Sequence, residues 1–126
     1  MKLQKLISKL EKHHKKKLDL SLGRTFNLLK KLGNPQDKLR NVISVVGTNA
    51  KASMCYSLKS ILNKAGHKTN LYTSPHLLSY TERYIFDDKE INEDDLIELL
   101  TDVEKTLGDD NATLFEILTC AFLKHA

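Results

Sequence analysis

Seven consecutive residues, Gly47-Thr48-Asn49-Ala50-Lys51-Ala52-Ser53, set a glycine, a lysine and a hydroxyl close to the spacing of a phosphate-binding loop. The chemistry such a loop performs is electrostatic. Backbone N–H groups at a helix N-terminus hold anionic oxygens. Lys51 would reach the β- and γ-phosphates of a nucleotide, and the Ser53 hydroxyl would meet its Mg²⁺. The strict pattern G-x-x-x-x-G-K-[ST] is broken at Val45 and at Ala50, which stand where it asks for glycine. An ordinary strand-to-helix turn with a solvated lysine remains the competing reading of the same residues.

Other chemistry-bearing residues are scattered. His13, His14, His67 and His125 show no metal-ligand spacing, and Cys55 and Cys120 form neither a CxxC pair nor a disulfide framework. Both cysteines fall on predicted helices and read as small core residues. A reducing, cytoplasmic setting is the simplest expectation.

The elements that must position the loop are set by pattern. Leu3, Leu6, Ile7 and Leu10 recur at helical spacing within residues 3–16. A second helix is predicted from Arg24 to Leu32, with Phe26, Leu28, Leu29 and Leu32 turned inward, and Gly33-Asn34-Pro35 ends it. Residues 41–46 are nearly continuous in apolar and β-branched side chains, the pattern of a buried parallel strand. A third helix runs through Met54, Leu58, Ile61 and Leu62 to Gly66, and 67–72 reads as a second strand, completing a βαβ unit. Residues 73–91 read as loop. Asn92 opens a helix with Leu96, Leu99, Leu100, Val103 and Leu107 on one face, and a last buried helix starts at Thr113, where Thr113-x-x-Glu116 is a capping box.

Composition bounds the rest. The chain has 126 residues, 40% of them hydrophobic and only 6% aromatic, so one domain's worth of core must rest on Leu, Ile and Val. No run is long and apolar enough for a membrane span, and the start lacks the apolar core of a secretory signal. Twenty Lys and Arg against 16 Asp and Glu give a net charge of +4. Lys12, Lys15, Lys16 and Lys17 cluster near the start without interleaved aromatics, which argues against a nucleic-acid partner.

The loop and six further segments together resemble the folylpolyglutamate synthase and dihydrofolate synthase family of Mur-ligase-like, ATP-dependent amide ligases. Besides 47–53 these are Asp19-Leu20-Ser21-Leu22-Gly23-Arg24, Leu32-Gly33-Asn34-Pro35, Tyr72-Thr73, Ser74-Pro75-His76-Leu77, Tyr80-Thr81-Glu82-Arg83 and Leu114-Phe115-Glu116-Ile117-Leu118-Thr119, in order from about residue 18 onward. The resemblance implies an α/β fold: a P-loop-type parallel sheet flanked by helices, with residues 1–126 as the N-terminal part of the ATP-binding domain. It implies ATP and Mg²⁺, and a carboxylate of dihydropteroate or a folate phosphorylated to an acyl phosphate, which the amine of L-glutamate then attacks. It places Gly47 to Ser53 on the nucleotide with Lys51 as the catalytic cation, Ser53 and Ser74 at the metal, and Leu22, Arg24, His76, Leu114, Phe115 and Glu116 near the pterin. His76 either orients substrate or packs in its loop, and Glu82 and Arg83 either order the loop after Ser74 or form a surface ion pair. A monomer without nucleic-acid or membrane partners is implied.

This sequence departs from the family at Ala50 and Ala52, where relatives carry glycine, and at Ser21 and Gly23. The alternatives are therefore a non-catalytic folate- or nucleotide-binding relative, or another Mur-type ligase. The family's next strand with its acidic metal ligand, and its glutamate-binding domain, are expected beyond Ala126. This length of chain alone is expected not to complete the reaction.

Overall fold

The computed structural model describes residues 2–13 and 21–126. The expectations for His14 to Leu20, including Asp19 and Leu20 of the first family segment and the end of the first helix, lie outside the described residues. The chain divides into two compact units, 1–39 with 93–126, and 40–92.

The first unit is helical. Helix α1 (Lys2–Leu10) buries Leu3, Ile7 and Leu10 and continues as a 3₁₀ turn over Glu11–His13. Helix α2 (Gly23–Lys31) buries Leu28 and Leu29. It stops as expected, because the N–H groups of Gly33 and Asn34 turn back to the carbonyls of Lys30 and Leu29 at 3.1 and 2.8 Å. That Schellman closure needs a left-handed residue, and Gly33 supplies it at φ 85°. Phe26 is the correction here: it is 58% exposed, because the helix face that meets the core is narrower than the predicted stripe.

The two later helices of this unit match their reading closely. In α4 (Glu93–Leu107) the buried residues are Leu96, Leu99, Leu100, Val103 and Leu107. In the last helix, α5 (Leu114–His125), Ile117, Leu118, Cys120 and Ala121 are buried. Helix α4 packs on α1, α2 and α5. Cys120 is a core residue as expected, and burial with the nearby Glu116 charge pushes its thiol up to about 12. No helix among the described residues is long and apolar enough to cross a membrane.

The second unit holds helix α3 (Lys51–Lys64) and a small sheet of β1 (Leu71–Tyr72), β2 (Tyr84–Phe86) and β3 (Lys89–Glu90). The mixed helix-and-strand class is as expected, but the pairing differs. Among the described residues the sheet is antiparallel throughout, in the order β1-β2-β3. Residues 42–46 form no ladder: Val42, Ile43 and Val46 are 68, 59 and 89% exposed. Their composition favours an extended chain, yet a strand exists only against a neighbour. β1 instead takes the edge of a hairpin in a segment read as loop. That hairpin turns at Asp87 and Asp88, both left-handed at φ 48° and 64°, the geometry of a two-residue type I′ turn. Buried Tyr84 anchors it, its ring 5.5 Å from Tyr72 and 6.3 Å from Phe86. Helix α3 buries none of its residues and leaves Met54 and Ile61 exposed. Polar contacts tie it to the segment on its C-terminal side, through the Lys59–Asp88 ion pair and a 2.6 Å hydrogen bond from Thr69 to Asn63.

An electrostatic contact of the helical unit has a pH signature. Glu104 accepts from Lys9 at 2.9 Å and from His13 at 3.0 Å. Burial alone would raise its pKa, but these two partners outweigh burial and hold it below the ordinary value. A depressed carboxylate stabilises the fold above its unfolded pKa and loses that contribution as pH falls through the folded value. Glu104→Gln should therefore lower the thermal midpoint at neutral pH. It should also flatten the further loss on acidification below the ordinary carboxylate value of 4.5, read by circular dichroism melts.

Candidate functional site

The 47–53 segment folds as a loop running into the first turn of α3. Ala50 is the N-cap residue, at φ 58° and ψ 16°, and its carbonyl accepts from Met54 at 3.0 Å. The N–H groups of Lys51, Ala52 and Ser53 precede the first intrahelical bond, and no side chain caps them. Donors in this state, at the positive end of the helix dipole, suit a phosphate. The Lys51 side chain folds back, its Nζ donating to the Gly47 carbonyl at 2.6 Å, and it remains exposed. The lysine is thus tied to its own loop, four residues back along the chain.

Ala50 carries a cost at this place. A residue with a Cβ in the left-handed region loses roughly 1–2 kcal/mol relative to the right-handed one, and glycine would lose none of it. The departure at Ala50 thus falls where the backbone asks for glycine. Ala52 lies inside the helix, where alanine is the favoured residue. The two departures have opposite local consequences.

Ser74 is exposed, two residues past the β1 ladder, and is joined to Pro75 by a cis peptide. The loop after it is set by one carboxylate. Glu82 accepts the backbone N–H groups of Leu77, Leu78 and Ser79 at 2.9, 2.7 and 2.8 Å. Those bonds hold its pKa below the ordinary value. Ser79 answers by capping the 3₁₀ turn Tyr80–Arg83, and Thr81 donates to Glu90 at 2.5 Å. The expected ordering role of Glu82 therefore has a geometry, whereas Leu77 and Leu78 themselves are each 93% exposed. His76 is held inside this loop: its ring lies 4.2 Å from that of Tyr80, and its Nδ1 accepts from Arg83 at 2.9 Å.

The remaining predicted substrate residues lie in the helical unit. Arg24, on α2, forms a bidentate pair with Glu116 on α5, at 3.1 and 2.9 Å. Glu116 at the same time accepts the Thr113 N–H at 2.9 Å, closing the expected capping box. Leu22 and Phe115 are exposed by 63 and 57%, and Leu114 is half-buried. A cleft of about 240 Å³ beside Arg24, lined also by Asn27, Leu28, Leu107, Asp110 and Asn111, is below the roughly 300–1,000 Å³ of most small-molecule sites. Sequence reasoning placed Tyr80 in a family segment but gave its ring no role, and the signal was there: an aromatic three residues before an arginine.

Oxygen donors suited to Mg²⁺ are present in the hydroxyls of Ser53 and Ser74. No cluster of three or more His, Cys, Asp or Glu able to hold a metal occurs among the described residues. A metal here fits as the companion of nucleotide phosphates, with the serines as minor ligands.

Comparison with known proteins gives one consistent result. No family model matches the chain. The dihydrofolate synthase/folylpolyglutamate synthase of Escherichia coli strain K12 is 38% identical over 117 residues, which is 93% of this chain and 28% of that protein. The structure of E. coli FolC in complex with DHPP and ADP superposes with a TM-score of 0.87 at 37% identity, covering 97% of this chain and 29% of that one. The bifunctional enzyme from Yersinia pestis, complexed with AMPPNP and a Mn ion, gives a TM-score of 0.89 at 32% identity over 98% of this chain and 30% of that one. The chain thus spans less than a third of the length of these relatives.

Two measurements test the local geometry. Ala50→Gly should raise stability by about 1 kcal/mol, whereas Ala52→Gly should lower it by about as much; equal shifts in thermal melts would contradict the left-handed cap. Glu82→Ala should speed amide exchange at Leu77, Leu78 and Ser79 by roughly tenfold or more, with Glu82→Gln in between.

Proposed function

We propose that this chain, which belongs to the family of folylpolyglutamate synthases and dihydrofolate synthases, forms the N-terminal part of the ATP-binding domain of a ligase. That ligase adds L-glutamate to dihydropteroate or a folate. The observation that carries the reading is the uncapped first turn of α3, with Lys51 folded over its loop. Three uncapped N–H groups and a lysine are what a triphosphate needs from a backbone.

The chemistry is set by what such a site stabilises. Transfer of the γ-phosphoryl group to a substrate carboxylate moves negative charge among phosphoryl oxygens. Fixed amides and a cation stabilise that charge without having to reorganise during the reaction. Gly47 to Ser53 bind the phosphates, and Lys51 places its charge where the transferred group departs. Ser53 and Ser74 would hold a metal ion through their hydroxyls, and when bound it would supply positive charge to the phosphates. Leu22, Leu114 and Phe115 present apolar surface to a flat heterocycle. Arg24 and Glu116 fix one another, so in this reading they shape the pterin site more than they charge it. Phosphoryl transfer leaves ADP, and the amine of glutamate then attacks the acyl phosphate, giving the amide and releasing phosphate.

A second reading, nucleotide or folate binding without turnover, draws on the strained Ala50. It differs in one outcome: restoring glycine at 50 would then raise nucleotide affinity without producing a ligase.

Titration of the chain with Mg·AMPPNP by calorimetry tests the proposal. Lys51→Ala should weaken binding at least tenfold, or about 1.4 kcal/mol. Ser53→Ala should weaken it less, and only when Mg²⁺ is present. Binding unaffected by Lys51→Ala would remove the loop from the nucleotide site.

A further inference from the structure

We propose that Arg83, together with the imidazole of His76, is an oxyanion receptor for a carboxylate or phosphoryl group of the substrates. The proposal rests on the ligase reading above and adds a residue to it.

The backbone fixes where Arg83 stands. Tyr72 pairs with Tyr84 in the β1–β2 ladder, and the next N–H, that of Thr73, donates to the Arg83 carbonyl at 3.2 Å. Arg83 is therefore directly across from Thr73 and next to Ser74, the proposed metal contact.

Its side chain is held by two contacts that leave its binding edge open. The Nε–H donates to His76 Nδ1 at 2.9 Å, and the guanidinium lies 5.0 Å over the Tyr80 ring. Stacking of this kind orients the planar group and restricts its rotamers. Both Nη groups have no hydrogen-bond or ion-pair partner among the described residues. Because Nδ1 of His76 accepts, a neutral imidazole carries its proton on Nε2. That Nε2–H is a further donor without a partner among the described residues.

The carboxylate next to it in sequence forms no ion pair with it. Glu82 is committed to the amides of Leu77, Leu78 and Ser79. The contrast with Arg24 is direct, since there Glu116 fills the guanidinium fork. An arginine held rigidly, unneutralised, with two coplanar amino groups free, matches the paired oxygens of a carboxylate or a phosphoryl group.

The test measures two ligand pairs on the chain and its variants. One pair is pteroate against its carboxamide, and the other is Mg·AMPPNP against adenosine. Wild type should prefer the charged member of each pair. Arg83→Gln should cut that preference at least tenfold in one pair, leaving affinity for the neutral member unchanged; the affected pair identifies carboxylate or phosphoryl as the guest. Arg83→Lys, which keeps charge but loses the fork, should restore only part of it. A purely structural role would weaken both members equally and keep the ratio, which overturns the proposal, and so does a wild type with no preference for either charged ligand. Lys51→Ala separates the two readings: if it leaves AMPPNP binding intact while Arg83→Gln abolishes a preference, the loop assignment fails and the receptor stands.

Discussion

A helix start leaves N–H groups without acceptors inside the helix, and this chain meets that constraint in two ways. At two starts a side chain accepts from them. Thr113 and Glu116 close the beginning of α5, and Ser79 with Glu82 closes the turn at 80–83. At α2 and at α3 no side chain does so, and α3 differs in its left-handed N-cap and its lysine. The backbone there turns through a left-handed alanine, aims Lys51 back at Gly47 and leaves its amides for another acceptor. Capping that turn with an acidic side chain would stabilise the helix and place a negative charge where the proposed ligand brings its own. The uncapped start and the strained Ala50 are thus two sides of one arrangement.

The carboxylates show the structural case most fully. Glu116 serves the capping box and the Arg24 pair at once. Removing it would leave Arg24 half-buried without its counter-charge and open the first turn of α5. Such double use makes the beginnings of α2 and α5 a rigid pair, and it removes Arg24 from the list of free cations. Recognition at this place then falls to the exposed apolar faces of Leu22 and Phe115 rather than to charge.

Much of this was legible in the sequence wherever the cause is local. The apolar stripe of α4, the capping box of α5 and the glycine stop of α2 depend on residues within a few positions of one another, and each is found as read. The turn at 47–50 running into a helix was legible for the same reason. What escaped depends on distant partners. Val42, Ile43, Val45 and Val46 announce an extended chain but cannot announce a neighbour, and no ladder forms on them among the described residues. The hairpin at 84–90 escaped for a different reason. Asp-Asp is a weak turn signal beside Asn-Gly or Asp-Gly, and the alternation around it is short. Phe26 was misplaced because helical spacing gives the direction of a face and not its width.

Charge, finally, informs by its pairing more than by its sum. A net +4 spread over a chain of 126 residues points to no partner. In the helical unit four of the cations that contribute to it are answered: Arg24 by Glu116, Lys31 by Asp110, Lys9 by Glu104 and Lys124 by Asp102. In the second unit Lys59 is answered by Asp88, while Lys51 and Arg83 have no carboxylate partner among the described residues. Each of these two is instead held by a neutral acceptor, a carbonyl for the lysine and an imidazole for the arginine. A neutral acceptor fixes a cation's position without cancelling its field. That combination, immobility with charge retained, is what electrostatic preorganisation toward an incoming anion requires, and it occurs in this chain beside the residues that the family resemblance assigns to phosphate and metal.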